Sequence, residues 1–370
     1  MNILFLNSLG RKKWGGGEKW MLMAASGLRE RGHKVIVGCA DKSKISQNAR
    51  SLNLPTLPLS FKTDFDFWGF FRLLGVLKKN PVDVIICGQN KDTKIAAVAA
   101  RVSGGQAVIA RHGLQLISRK LKYKYIFTRM IDGIITNTRT IKDVYDSYSW
   151  FSPGFVKVIY NGCNPPANME AFDFRTNYGL PEDSMVYFSA GRLASQKGFD
   201  VLIKAAAKGV AEGHNWCFFI AGKGKKEKEL RRQVRAEGLD DRFHFIGFVD
   251  KVLPYVLGAD VFVMPSFYEG MPNAVMEAMG VGKCCVATAV NGSTELIEDG
   301  VDGILVEARN PESLYVGLLR AGSDQAFREE LGSAAREKVR TNFSEKAMLD
   351  NLEDYLVEIT KASAQRIKTR

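Results

Sequence analysis

Short apolar runs alternate with amphipathic stretches along nearly the whole chain. The first run, Ile3-Leu4-Phe5-Leu6, gives way to the glycines Gly15-Gly16-Gly17 and then to a helical pattern from about Glu18 to Arg31. Lys34-Val35-Ile36-Val37 is the next run. Strand, helix, strand in that order is a βαβ unit, and such units build parallel sheets because a tight turn cannot join parallel strands. Val84-Ile85-Ile86, Ala107-Val108-Ile109, Gly133-Ile134-Ile135 and Val156-Lys157-Val158-Ile159 continue the series, with helical patterns between most of them. The pattern predicts an α/β domain, a doubly wound Rossmann-like sheet, over residues 1–165.

Residues 161–183 are rich in Asn and Pro and lack clear periodicity, so a linker is expected over 166–183. The alternation then resumes. Strands are expected at 185–190, 216–221, 260–264, 284–288 and 303–306, with helices at 198–213 and 225–238 among others. This makes a second doubly wound domain over 184–342, followed by a C-terminal helix and tail over 343–370. In open α/β sheets ligands bind beyond the carboxyl ends of the strands, so a cleft between two such domains is the expected active site.

A length of 370 residues suits two domains, and 46% hydrophobic with 25% charged residues excludes disordered and collagen-like chains. The six cysteines form no CxxC pair and mostly sit in apolar runs, so reduced core thiols are expected rather than disulfides or a zinc site. No run reaches 18 apolar residues, and MNILFLNSLG turns polar too soon for a signal peptide. A cytoplasmic protein is expected. The net charge of +12 implies an anionic partner, and it is unevenly placed. Residues 1–180 hold 27 Lys and Arg against 12 Asp and Glu, a net of +15; residues 181–370 hold 25 against 28, a net of −3.

Two stretches of the second half carry the clearest chemistry. Gly191-Arg192-Leu193-Ala194-Ser195-Gln196-Lys197-Gly198 directly follows a predicted strand. Two cations five residues apart on a strand-to-helix loop can converge on a diphosphate, Arg as a bidentate fork and Lys as a point charge, with loop N–H groups assisting. The plain alternative is a surface turn with two solvated cations. Phe267-Tyr268-Glu269-Gly270-Met271-Pro272-Asn273-Ala274-Val275-Met276-Glu277-Ala278 follows another predicted strand. It puts Glu269 in a loop and Glu277 one to two turns into a helix. Buried carboxylates need donors, and sugar or ribose hydroxyls would supply them. The plain alternative is helix capping and solvated acids.

Together these stretches resemble the GT4-like retaining glycosyltransferases, also called glycosyl transferases group 1, which have the GT-B fold of two Rossmann-like domains. That family carries a GRL-xxx-KG loop and an E-x7-E motif, matched here by Gly191–Gly198 and Glu269…Glu277. Gly16-Gly17-Glu18, Val158-Ile159-Tyr160-Asn161-Gly162, Ala221-Gly222-Lys223-Gly224, Gly247-Phe248-Val249 and Gly292-Ser293-Thr294-Glu295 resemble further family segments. The resemblance spans essentially the whole chain. It implies a nucleoside-diphosphate sugar as donor, a UDP-sugar favoured and GDP- or ADP-sugars as alternatives, and no other cofactor or metal. It implies that Arg192 and Lys197 hold the diphosphate, that Glu269 contacts the sugar and that Glu277 takes the ribose hydroxyls. Gly191, Gly222, Val249, Gly270, Met271, Pro272, Asn273 and, more weakly, Glu295 would complete the donor site. Gly16 and Gly17 would close a loop over the diphosphate. His112, after a first-domain strand, would sit near the reacting sugar. The C-terminal helix is expected to return to the first domain.

The first domain would receive the acceptor, and its positive charge suggests a glycolipid, lipopolysaccharide or polysaccharide precursor at an anionic membrane. Candidate residues are Arg111, Arg119, Lys120, Lys122 and Lys124, with the aromatic and basic stretch Phe65 to Lys79. Peripheral contact with the cytoplasmic face of the inner membrane follows as an expectation. Asp64-Phe65-Asp66 spells the D-x-D of metal-dependent transferases, but no predicted strand leads to it, and it reads as accidental. Two other enzymatic or binding readings stand beside this one. A nucleotide-sugar 2-epimerase would share the architecture without an acceptor. A nucleic-acid binder would explain the charge, but no nucleic-acid-binding motif accompanies it, so no nucleic acid partner is expected. A catalytically inactive scaffold would not need the intact Arg192, Lys197, Glu269 and Glu277.

Overall fold

The structure is a computed structural model. It describes all residues except 11–13, 65, 114–115, 167 and 369–370, and the side chains of residues 122, 364 and 366–368 also lie outside the described set. The chain forms two compact units, Met1–Gly162 with Glu345–Arg370, and Cys163–Ser344.

The first unit is built on seven parallel strands: β1 (Asn2–Asn7), β2 (Lys34–Cys39), β3 (Thr56–Pro58), β4 (Val84–Cys87), β5 (Ala107–His112), β6 (Gly133–Thr136) and β7 (Val156–Val158). Their order is β3-β2-β1-β4-β5-β6-β7. The strands read as unbroken apolar runs because helices cover both faces of the sheet; Leu4, Phe5, Val84, Ile85, Val108 and Ile109 are all buried. The strand order reverses between β1 and β4, which pair through Ile3 and Val84. β3 has no counterpart among the expected strands. It is three half-exposed residues ending in proline at the sheet edge, too short to show an alternation.

The helix Glu345–Lys368 packs on the helix Gly16–Glu30 of this unit. Leu349, Leu352, Tyr355 and Leu356 join the core formed with Ala24, Leu28 and Val35. Gly27 permits the approach, since a Cβ there would stand 2.3 Å from Leu349 Cδ1. Arg31 bridges to Asp350 at 2.8 Å and to Glu353 at 2.9 Å, and His33 Nε2 lies 2.8 Å from the same Glu353.

The second unit has six parallel strands: β8 (Met185–Ala190), β9 (Trp216–Ala221), β10 (Phe243–Gly247), β11 (Val261–Met264), β12 (Cys285–Thr288) and β13 (Ile304–Val306). Their order, β10-β9-β8-β11-β12-β13, again reverses once, between β8 and β11. β10 was not expected: it is an edge strand whose residues after Phe243 are only half buried, so its apolar signal is weak. Residues 166–183, expected as a linker, are part of this unit. They include the helix Phe174–Tyr178, N-capped by Asp173, whose side chain accepts the Thr176 N–H at 3.0 Å. Phe174 is buried with its ring 4.5 Å from that of Phe219. A five-residue helix is too short to display helical periodicity, which explains why its packing is invisible in the pattern. All six cysteines are buried in the core.

Candidate functional site

In the second unit the two motif loops leave the two strands that flank the reversal of strand order, where ligands of such sheets bind. Gly191 follows β8 directly, and its N–H donates to the Ala221 carbonyl at 2.9 Å. Leu193 is fully buried and anchors the loop, donating its N–H to Lys223 and accepting from Lys226, both at 3.1 Å. This leaves Arg192 exposed, with no ion pair to any described residue. Gly222 and Gly224 allow the loop after β9 to close on the first loop. A Cβ on Gly222 would lie 1.9 Å from the Gly191 oxygen, and one on Gly224 would lie 2.0 Å from the Leu193 oxygen.

Ser195–Lys197 form one 3-10 turn, and Gly198 then takes a left-handed conformation, φ 64°. Any side chain at Gly198 would also meet the Pro265 carbonyl, 2.0 Å from its Cβ. That close approach laces the loop after β8 to the loop after β11. The Phe267 N–H donates to the Gln196 carbonyl at 2.8 Å, and Gln196 Nε2 donates to the Tyr268 carbonyl at 2.9 Å. Lys197 Nζ then reaches Glu269 Oε1 at 2.6 Å, and the two side chains are only 18% and 10% exposed. Removal of either partner would leave a charge largely out of water. Gln196 was not singled out in the sequence; its role depends on a loop 72 residues away.

Gly270 and Met271 are buried beyond Glu269, and Pro272 caps the helix Asn273–Gly280. Pro272 has no N–H, so only its neighbours can offer backbone donors to a ligand. Glu277 is half buried in the second turn of this helix, and Glu295 is half buried in the short helix Gly292–Leu296. Gly292 packs under Gly270, where a Cβ would come within 1.9 Å of the Gly270 oxygen. Val249 is half buried beside the exposed Phe248.

In the first unit Gly16 opens the helix Gly16–Glu30 and Gly17 lies against Arg111; a Cβ at Gly17 would be 3.2 Å from Arg111 Nη1. Arg111, grouped from sequence with surface cations, is instead buried. Its Nη2 donates to Asn161 Oδ1 at 3.0 Å and its guanidinium stacks 4.5 Å over the Trp20 ring. Burial pulls its pKa down to about 10, and the nearby Glu18 carboxylate opposes that. Glu18 accepts from Asn7 Nδ2 at 3.3 Å. Asn161, Trp20 and Glu18 surround this cation inside the unit, while its Nε is buried with no hydrogen-bond partner among the described residues, so Arg111 does not lie on the exposed surface with Arg119, Lys120 and Lys124. His112 is buried beside it, and burial first, then Arg111, lowers its pKa to about 3; it is neutral at physiological pH.

Arg119, Lys120 and Lys124 are exposed, and the Lys122 side chain is outside the described residues. Arg119 donates to Ser147 Oγ at 2.6 Å and covers the Tyr148 ring at 4.5 Å. Phe65, the start of the aromatic stretch, also lies outside the described residues. The flanking aspartates have structural partners: Asp66 caps the helix Phe67–Lys79 by accepting the Gly69 N–H at 2.8 Å, and Asp64 pairs with Lys94. Among the described residues no cluster of His, Cys, Asp or Glu is arranged to hold a metal, and no helix is long and apolar enough to cross a membrane.

Two family models match consecutive parts of the chain, Glycosyltransferase Family 4 over residues 14–165 and Glycosyl transferases group 1 over 171–338. The chain is 30% identical to the uncharacterized glycosyltransferase MJ1607 of Methanocaldococcus jannaschii, covering 92% of this chain and 93% of that one. It is 25% identical to the UDP-Gal:alpha-D-GlcNAc-diphosphoundecaprenol alpha-1,3-galactosyltransferase of Escherichia coli over 85% of each chain. The fold superposes on HepE of Anabaena in complex with UDP and glucose with a TM-score of 0.81 at 20% identity, covering 97% of this chain and 100% of that one. Full-length similarity and two matched models in the right order show that this chain belongs to the group 1 glycosyltransferases, GT4-like enzymes of the GT-B fold.

Proposed function

We propose that this glycosyltransferase is retaining and metal-independent, and that it moves a sugar from a UDP-sugar to a hydroxyl of a membrane-associated glycolipid, lipopolysaccharide or polysaccharide precursor. The observation that carries the donor half is the lacing of the loops after β8 and β11, which gathers Arg192, Lys197 and Glu269 where the strand order reverses. Arg192 is exposed and able to grip a diphosphate bidentately. Lys197, already beside Glu269, shares its charge between that carboxylate and a phosphate. Glu269 and Glu277 accept hydrogen bonds from sugar and ribose hydroxyls, and Glu295 supports the same region. HepE's complex with UDP and glucose supports the uridine choice. In the reaction the acceptor oxygen bonds to the anomeric carbon on the face the diphosphate leaves, the bond between that carbon and the diphosphate oxygen breaks, and the departing diphosphate takes the acceptor proton. The chain supplies position and charge stabilisation. His112 hydrogen-bonds the donor near the reacting carbon.

The acceptor half rests on charge and exposed aromatic residues. The unit of Met1–Gly162 and Glu345–Arg370 carries 31 Lys and Arg against 15 Asp and Glu. Phe67, Trp68 and Phe71 are 73%, 84% and 61% exposed, and Leu121 and Tyr125 are 81% and 65% exposed. Lys94 ties the two groups together, pairing with Asp64 and lying 4.6 Å over the Tyr123 ring. Aromatic side chains with Arg119, Lys120 and Lys124 among them suit an anionic lipid surface. The lipid-linked substrate in the name of the Escherichia coli relative supports this choice, and the transferase names among the relatives argue against an epimerase. A thermal-shift panel of nucleoside diphosphates and their sugars tests the donor. UDP and one UDP-sugar should raise Tm most, and Arg192→Ala should abolish the shift. A panel in which no nucleotide raises Tm would overturn the donor reading. Sedimentation with anionic vesicles at low salt tests the acceptor half, and no binding would overturn it.

A further inference from the structure

His112 has a buried partner, Tyr145, to which the sequence drew no attention. His112 ends β5 and is packed against Phe127 and Tyr145, with ring centroids 5.8 and 5.7 Å away. Its Nδ1 stands 2.8 Å from the Tyr145 hydroxyl. The same hydroxyl accepts the Ile117 N–H at 3.1 Å. Tyr145 is wholly buried, and burial raises its pKa, so the phenol keeps its proton. A phenol has one proton to give. With the Ile117 N–H already pointing at its oxygen, the geometry that satisfies all three groups has Tyr145 donating to Nδ1. The imidazole proton then sits on Nε2. The reverse arrangement would aim two N–H groups at one oxygen and leave the phenol proton without an acceptor among the described residues. Nε2 itself is buried and has no hydrogen-bond partner among the described residues. A buried donor in that state is costly unless a ligand oxygen meets it.

We propose that Tyr145 is a positioning residue that holds His112 in its Nε2–H tautomer, so that His112 acts as a hydrogen-bond donor to an oxygen of the nucleotide-sugar and not as a base. The inference rests on the reading of His112 as a residue of the reacting site. Tyr145 also links this tautomer to the basic segment beyond β5. Through Ile117 it holds the backbone two residues before Arg119, and Tyr148 holds the other side of Ile117, its hydroxyl donating to the Ile117 carbonyl at 2.8 Å.

The test begins without any substitution. In the full chain labelled with 15N-histidine, the His112 resonance, identified by its loss in His112→Gln, should show a protonated Nε2 and an unprotonated Nδ1 at neutral pH. A protonated Nδ1 would overturn the proposal while leaving the role of His112 intact. Tyr145→Phe should shift His112 away from the pure Nε2–H form and lower kcat about tenfold, with KM for the donor changed less than about threefold. Tyr148→Phe loosens the same segment without touching His112, and should leave the tautomer and kcat unchanged; equal losses from both variants would mean that Tyr145 only supports the loop, which overturns the proposal. His112→Gln keeps an N–H donor but cannot take a proton, and should stay within about tenfold of the parent, whereas His112→Ala should lose about 100-fold. Equal activity of His112→Ala and the parent would instead overturn the underlying placement of His112.

Discussion

The two units share a strand order and differ in how they hold charge. Both sheets reverse once, β1 against β4 and β8 against β11. Yet the first unit has a net charge of +16, from 31 basic and 15 acidic residues, and the second a net of −4, from 21 and 25. The difference is not simply more cations in one half. In the second unit the two candidate cations sit on a loop, Arg192 exposed and Lys197 paired with Glu269. In the first unit the residues at the strand ends are interior: Arg111 and His112 are both buried, and the surplus charge lies elsewhere on the surface. A placed pair of cations can serve a phosphate in a nearly neutral unit, while a diffuse positive surface suits an extended anionic partner.

The sharpest way to break this comparison is in the second unit. Arg192→Ala and Lys197→Ala should each lower kcat by roughly 10²–10³-fold in a transfer assay, the scale of one lost preorganised donor. Full activity in both would mean that bulk charge, not placed charge, binds the donor. Lys197→Ala should also cost about 3 kcal/mol of stability by stranding Glu269. The double variant Lys197→Ala/Glu269→Ala should regain part of that stability in denaturant titration without regaining activity.

Gly198→Ala probes the lacing of the loops. It combines a left-handed backbone with a collision at Pro265, and should cost about 1–3 kcal/mol, read as a Tm fall of several degrees. An unchanged Tm would mean the loops do not need that approach. In the first unit, reversing Arg119, Lys120 and Lys124 to Glu should weaken binding to anionic vesicles by about fivefold per charge, while leaving UDP binding untouched. Loss of UDP binding in that variant would erase the division of labour between the units.

The smallest effects are in the pH dependence of the first unit's stability. His112 is held neutral to about 3, whereas unfolded it takes a proton below about 6.5. Its contribution to stability is therefore complete above that value and is lost as pH falls towards 3. Asp92 acts oppositely. Burial raises its carboxyl to about 6 even though the Ser8 N–H donates to it at 2.8 Å. Between the ordinary carboxylate range and about 6 the folded chain keeps a proton that the unfolded chain has lost, so its contribution falls as pH rises through that window. Tm measured at about pH 5 and pH 7.5 should separate them. Relative to the parent, His112→Gln should gain at the lower pH and Asp92→Asn at the higher. No change in either would mean these groups titrate as they do unfolded.

The strands with the strongest apolar runs were legible because burial on both faces leaves no polar positions in them. Val84–Cys87 and Trp216–Ala221 are entirely buried along their length. The edge strands β3 and β10 and the helix Phe174–Tyr178 were not, because short or half-exposed elements depend on neighbours distant in sequence. The loops around Arg192 and Glu269 were readable since each directly follows a strand and carries its own glycines. Gln196 and Tyr145 were not, because their partners, Tyr268 and His112, are 72 and 33 residues away. The burial of Arg111 is hidden from the sequence for a related reason. An arginine in a basic stretch looks solvated until Trp20, Glu18 and Asn161 converge on it.

By itself the sequence determined the alternation of strands and helices, the two doubly wound units and the family, because periodicity and local motifs need only neighbouring residues. It also determined the charge imbalance, which is a matter of counting. Only the tertiary structure decided where that charge acts: that Lys197 meets Glu269, that Arg111 is interior, and that Tyr145 faces His112. Those outcomes depend on burial and on groups brought together from distant positions, and the cost of desolvating a charge or a polar group is known only once its surroundings are in place.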